Sequence, residues 1–307
     1  MDTSKSTTTA PAADPHGPPI TVAIPKGDDA SGIAQALEDR GVIDDAGRFG
    51  DYVNAHGEGS NFKAGTYTFA AGTGYDAIIR KLDAGPNAGA ARLVIPEGYR
   101  ITQIEAAVAG LGISKSAYAR AANAAVPPTG FGHHANMEGF MFPATYDIRP
   151  HESAAALVSQ QLAAFRTAFS RVDMRYARSR NLTPYDVLRI ASMIEREARV
   201  PGDRAKVAAV IYNRLHRGMD LGIDATILYH LGSWTATIHQ SDLDDPEPYN
   251  TRKHAGLPPT PICNPGLASL QAAAHPAHKD YLYYVAIPGK SAQYFTDSYQ
   301  DFKAHGG

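Results

Sequence analysis

Two glutamates separated by one residue, Glu195 and Glu197, stand in the segment LTPYDVLRIASMIEREARVP, residues 182–201. A carboxyl group held at the edge of apolar surface is partly desolvated, which raises its pKa toward the value a general acid needs near neutral pH. The segment predicts a helix with both ends written in. Thr183 can cap the start, Pro184 suits the first helical position, Asp186 follows three after the cap, and Pro201 is a stop. At about 100° per residue, Val187, Ile190, Ala191, Ile194 and Ala198 share one face, and Glu195 and Glu197 fall on its two opposite edges. The plainer reading is that both are solvated surface residues paired with Arg196 or Arg199. Spacing does not choose between the two acids.

The segments that follow are rich in polar and aromatic side chains of the kinds that hold sugars. Residues 203–215 predict a second amphipathic helix with Asn213 near its end, and residues 222–229 run from Asp224 to Tyr229. Tyr249, Asn250, Thr251 and Arg252 precede GLPPTPICNPG, residues 256–266. There Pro258, Pro259 and Pro261 predict a stiff loop suited to a groove wall. His275 lies in AAAHP, and residues 281–286, YLYYVA, predict a strand. Each residue also has a plainer use: Asp224 as a helix cap, Asn250 as a brace for the proline loop, His275 as a hydrogen-bonding core residue.

These segments must be positioned by the rest of a 307-residue chain that is 44% hydrophobic, enough for a sizeable core and two domains. Residues 1–19 are polar and Pro/Thr-rich and read as a disordered linker or trimmed tail. A weak internal repeat follows. Residues 20–43 align with 91–114, so that Pro25, Gly27, Ile33, Ala36 and Gly41 fall on Pro96, Gly98, Ile104, Ala107 and Gly112. Each copy reads as strand, turn and helix ending at a glycine. Between the copies, residues 62–69 alternate like a strand and residues 75–82 read as a short helix. A Pro/Gly break at 122–136 is taken as the approach to a second domain, and residues 153–171 as an amphipathic helix. The expected division is therefore 1–19, 20–121 and 122–307.

Composition removes several classes of function. Lys+Arg 29 against Asp+Glu 31 leaves no basic excess for nucleic acid. Cys263 is the single cysteine, so no intrachain disulfide or thiolate zinc cluster can form, and it reads as a small buried hydrophobe. His133 and His134 are adjacent, without the spacing or acidic partners of a metal site. No run reaches the roughly 18 apolar residues of a membrane span, and the N-terminus has no signal-peptide core.

Read in order, FKAGTY, VIPEG, EGFMFPATY, ASMIEREA, VAAVIYNRL, the D-x-T-x-x-Y at 224–229, YNTR, GLPPTPICNPG and AAAHP resemble the endolytic murein transglycosylase family, also called YceG-like. The resemblance runs from about residue 20 to residue 303. It implies an α+β fold, with a small LysM-like N-terminal module followed by an α+β catalytic domain. It also implies that the second glutamate of the I-E-x-E segment, Glu197, is catalytic. On this basis Asp224, Tyr249, Asn250, Thr251 and His275 are expected around the glycan, and Glu195, Asn213 and Tyr229 are further substrate-binding candidates. The implied substrate is the peptidoglycan glycan strand, cut between N-acetylmuramic acid and N-acetylglucosamine to leave a 1,6-anhydromuramoyl end, with no metal or cofactor. Trimming or terminating nascent strands beside cell-wall synthases, at the extracytoplasmic face of the bacterial inner membrane, follows from the same likeness. The family's N-terminal membrane helix is not in this sequence, and the chain is expected to begin after it. Two other readings stay open: a hydrolytic muramidase using Glu195 or Asp224 as a second carboxylate, and a peptidoglycan-binding scaffold without catalysis.

Overall fold

The computed structural model describes residues 19–57, 61–70, 72–86, 91–132, 136–150 and 152–307. His133, His134 and nearly all of the expected N-terminal tail lie outside them. The chain divides into two compact units, Met1–Ala90 and Ala91–Gly307.

In the first unit, β1 (Ile20–Ile24) pairs antiparallel with β2 (Gly65–Phe69), Val22 facing Tyr67. Alternate side chains Val22, Ile24, Tyr67 and Phe69 are buried, as a two-stranded sheet with one covered face requires. Between the strands run α1 (Ala30–Asp39) and α2 (Ala46–Ala55), and α3 (Tyr75–Ala84) follows. Asp29 and Asp45 cap α1 and α2 by accepting from the amides of Gly32 and Arg48. Helix α2 is invisible to periodicity because Gly47 and Gly50 lower its propensity. Burial of Phe49 and Val53, one turn apart, outweighs that deficit.

The second unit opens with the same plan. Strand β3 (Ala91–Val94) leads to α4 (Ile101–Ala109) and α5 (Lys115–Ala124), then β4 (Thr145–Ile148) and α6 (Ala154–Phe169). β3 and β4 are antiparallel with Leu93 facing Tyr146, the register equivalent of Val22 facing Tyr67. The likeness reaches single atoms. Tyr67 donates its hydroxyl to the carbonyl of Lys63 at 2.5 Å, and Tyr146 to that of Phe142 at 2.6 Å, each four residues back. Gly27 and Gly98 turn their chains at φ 90° and 80°, a region open mainly to glycine. The repeat read from residues 20–43 and 91–114 is thus the visible part of a duplicated β-α-α-β-α module.

This duplication moves the division of the chain. Residues 91–121 belong with the second unit and not the first, because each copy closes its own sheet. β3 pairs with β4, and Leu93, Ile104, Val108 and Tyr118 join the core of the second unit. Tyr118 also donates to Gln161 of α6 at 2.5 Å. The first unit keeps its own core of Val22, Ile33, Leu37, Phe49, Tyr67, Ile78 and Leu82. A fragment of residues 1–90 is therefore expected to fold alone and melt cooperatively by circular dichroism, although domains of about 60 residues are marginal. A featureless, non-cooperative melt would contradict an independent first unit.

The remainder of the second unit is built on α8 (Pro184–Glu197), which follows the short α7 (Arg175–Ser179). Its capping box is formed: Thr183 Oγ1 accepts from the Asp186 amide at 3.1 Å and the Asp186 carboxylate accepts from the Thr183 amide at 2.8 Å. Burial is wider than one stripe, since Leu188, Ser192 and Met193 are as covered as Val187, Ile190 and Ile194. A 3-10 turn at Pro201–Asp203 reverses the chain into α9 (Arg204–His216). Then come α10 (Asp224–His230), α11 (Gln240–Asp244) and α12 (Leu267–Ala274), the last packed along α8 and α9. The antiparallel pair β5 (Tyr283–Ala286) and β6 (Gln293–Thr296) and α13 (Tyr299–Ala304) complete an α+β fold. No helix among the described residues is long and apolar enough to cross a membrane.

Much of the proline segment 256–266 packs inward: Pro258 and residues 261–266 are buried, whereas Pro259 is exposed. The Ile262 amide donates to Ser192 Oγ at 3.0 Å, and the Cys263 thiol to the Ser192 carbonyl at 3.3 Å. The rigidity of the prolines serves the core beside α8. Cys263 is inert there, its thiol pushed well up by burial.

Candidate active site

Helix α8 ends earlier than Pro201 alone suggests. Val200 must be extended before proline, and Ala198 already has φ −75° and ψ 112°, so Glu197 is the last helical residue. Its carboxyl is partly buried and lies at the negative end of the helix dipole, where a carboxylate is disfavoured. Burial raises its pKa. The hydrogen bond from Tyr284 and the weaker one from the Ala225 amide pull it back, Asp224 pushes it up, and Arg199 lowers it. The two bonds restrict the orientation of the carboxyl. Tyr284 Oη donates to Oε2 at 3.0 Å and the Ala225 amide approaches Oε1 at 3.4 Å. Burial, then Glu197, hold the Tyr284 phenol well above its ordinary range, so it remains a donor while Glu197 titrates.

Both partners of Glu197 are set by residues singled out in the sequence. Asn213 donates to the carbonyls of Lys279 and Tyr281, and Arg214 to that of Leu282, fixing the approach to β5 and so Tyr284. Asp203, buried ahead of α9, accepts from the Gln293 amide at 2.9 Å and holds β6 against it. Thr251 Oγ1 accepts from the Ile223 amide at 2.9 Å, and its carbonyl accepts from Gly222. This fixes the turn that presents Asp224 and Ala225. Asp224 is exposed and paired with Arg252 at 2.6 Å. Asn250, fully buried, reaches the carbonyls of Asp242, Leu243 and Asp245 and braces the loop before it.

The other expected residues have partners of their own. Glu195 accepts from the Gly266 amide at 2.9 Å and lies near Arg204 at 4.0 Å. That is a brace at the start of α12, beside Glu97, whose own carboxyl is raised by burial and by Glu195. The Tyr229 and Tyr249 rings pack at a tilt with centroids 4.9 Å apart, with Trp234 beside Tyr229 and the Tyr249 hydroxyl bonded to Thr260. His275 sits past the C-terminus of α12, 3.5 Å from Asp173 and against the Tyr176 ring. The sequence does not single out Tyr284 within YLYYVA, nor the pairing of Arg252 with Asp224. Their partners are far away in the chain, which no periodicity displays.

It also missed Glu138, an acid inside the otherwise apolar EGFMFP. Glu138 is 4% exposed and accepts from the Ile101 amide, from Asn264 Nδ2 at 2.9 Å and from the Tyr229 hydroxyl at 3.4 Å. It thereby joins α4, α10 and the proline segment. Burial pushes its carboxyl up to about 8, against the Ile101 amide and Arg100, which lower it. The native state holds this proton more tightly than the unfolded chain, where the ordinary value is 4.5, so stability is lost as pH rises from 4.5 through about 8. Urea midpoints of the wild type are expected to fall across that window more than those of Glu138→Gln. Parallel curves would show that Glu138 is not the source.

The α+β fold thus sets a carboxyl of raised pKa at a helix end beneath a tyrosine hydroxyl, an arrangement suited to proton transfer. The chain belongs to the YceG-like family, whose model matches residues 22–306. It is 32% identical over 283 residues to the endolytic murein transglycosylase of Bacillus subtilis, covering 87% of this chain and 78% of the relative. It is 29% identical to that of Streptococcus pneumoniae, covering 92% of this chain and 57% of the relative. The crystal structure of a putative yceG-like protein from Listeria monocytogenes superposes with a TM-score of 0.63 at 31% identity, over 94% of this chain and 99% of the other.

Proposed function

We propose that this chain is an endolytic murein transglycosylase with Glu197 as its acid and then its base. The observation that carries the reading is Glu197 itself: a partly buried carboxyl of raised pKa, held by Tyr284 and the Ala225 amide, in a chain of the YceG-like family. The protonated Glu197 gives its proton to the oxygen between muramoyl C1 and the next N-acetylglucosamine. The C1–O bond breaks with its electron pair on that oxygen. The carboxylate then takes the proton of the muramoyl 6-hydroxyl as O6 bonds to C1, which closes the 1,6-anhydro ring and restores the acid. An attached nucleophile has a large advantage in effective concentration over water. A glycosidase of the usual kind needs two carboxyl groups. Here Asp224 is paired with Arg252, and Glu195 is bonded to Gly266. Each step moves only protons and substrate bonds, so the reading calls for no metal or cofactor.

The first unit is read as LysM-like and as a holder of glycan, on the strength of its β-α-α-β order with antiparallel strands. Retention of the 1–90 fragment on insoluble peptidoglycan tests that role, and failure of any retention removes it. Work on nascent strands beside synthases, at the extracytoplasmic face of the membrane, belongs to the same reading. The reaction is tested on uncrosslinked glycan by following product length together with reducing ends. Early fragments of several disaccharides with no gain in reducing sugar are expected. A reducing end for each cut would favour the muramidase, binding without any cut would favour the scaffold, and early release of single disaccharides would remove the endolytic habit.

A further inference from the structure

At the opposite end of α8 from Glu197 lies a cavity of about 570 Å³. Its size falls in the range of about 300–1,000 Å³ usual for small-molecule sites. It is an open cleft between the end of α7, the loop that leads into α8 and the last turns of α9, with Tyr176, Arg180, Leu182, Leu215, His216 and Arg217 among its walls. Glu197 is 13 residues from Pro184 at the start of α8, about 20 Å at 1.5 Å per residue, so the end of the cleft beside Leu182 is far from the acid.

The charge of the cavity is one-sided. Arg180, His216 and Arg217 border it from two separate helix ends, and Asp280 is the acid in its lining. Among the described residues none of these three bases has an ion-pair partner, so their charge is free to face a ligand. Cations at the end of α9 also favour its dipole, but Arg180 comes from α7 and meets them across the same space. Arg180 is held in place before any ligand arrives: its guanidinium lies 5.3 Å over the Tyr176 ring and donates to the Tyr176 hydroxyl at 3.3 Å. A guanidinium fork fixed in this way matches a carboxylate in two parallel hydrogen bonds at little entropic cost. Leu182, Leu215 and the tyrosine rings offer apolar wall for small side chains.

We propose that this cavity binds a short peptide ending in a free carboxylate, which under the function proposed above is the stem peptide of a glycan strand lying some distance from the cut. Arg180 and Arg217 take the carboxylate, and the leucines and Tyr176 take alanine-sized side chains. The site gives the enzyme a hold on strands that still carry stems.

Isothermal titration of the full chain with the synthetic stem tetrapeptide reads this directly. Because the probe is a free peptide, the result is independent of whether the chain cuts glycan, and failure of either idea is separately visible. Saturable binding is expected, weakened tenfold or more in the Arg180→Ala, Arg217→Ala double variant and by amidation of the peptide C-terminus, since hydrogen bonds to charged groups are lost. Both arginines are exposed, so the double variant is expected to melt as the wild type does. No binding to the wild type, equal binding to the double variant, or equal binding of inorganic phosphate would overturn the proposal.

Discussion

Glu197→Gln is expected to lower glycan cleavage by about a hundredfold or more, the contribution typical of a general acid, and to leave the fold intact. The amide keeps the shape of the side chain and can still accept from Tyr284, but it cannot give up and recover a proton. The same change carries a stability signature. Burial raises the Glu197 pKa, so the native state favours the protonated acid, and stability is lost as pH climbs through that pKa. Removing the ionisable group removes the loss, and the variant is expected to melt no lower than the wild type near neutral pH. Glu195→Gln is the control: it weakens the bond to the Gly266 amide and is expected to act on melting more than on turnover. A dead Glu195→Gln beside an active Glu197→Gln would reverse the assignment.

Tyr284→Phe is expected to lower kcat about tenfold and to move the alkaline limb of the pH profile upward, because a hydrogen bond that favours the charged acid is lost. Tyr284 holds Oε2 and the Ala225 amide approaches Oε1, so loss of the phenol leaves the carboxyl with the weaker of its two bonds. The sign of the pH shift is the useful part. A purely structural role for Tyr284 would lower activity evenly and leave the limb where it was, and a downward shift would contradict the bond.

The helix that carries Glu197 was legible because its signals are local: Thr183, Pro184 and Asp186 are neighbours, and the capping box formed as they require. The same holds for α6 behind its Ser153 cap and for β5. The fold class was legible as α+β, whereas α2 was not, since Phe49 and Val53 find their reward only in tertiary contact. The repeat was visible over its first strand and helix. The division of the chain follows from its unseen second half, where β4 returns to β3. At the site, the sequence pointed to an acid on an edge but not to the element that faces it. Tyr284 meets Glu197 across 87 residues of chain, and Glu138 meets Asn264 across 126. Asn213, Asn250 and Thr251 are polar residues of the right segments whose side chains are spent on backbone groups, which is the plainer use that polar loop residues so often have.

The central claim is that Glu197 drives an intramolecular attack in place of hydrolysis, and mass spectrometry of fragments released from purified sacculi tests it most directly. The wild type is expected to release muropeptides whose muramoyl ends are lighter by one water, and Glu197→Gln to release almost none. Wild-type fragments ending in ordinary reducing muramic acid, or anhydro ends undiminished in Glu197→Gln, would contradict the account.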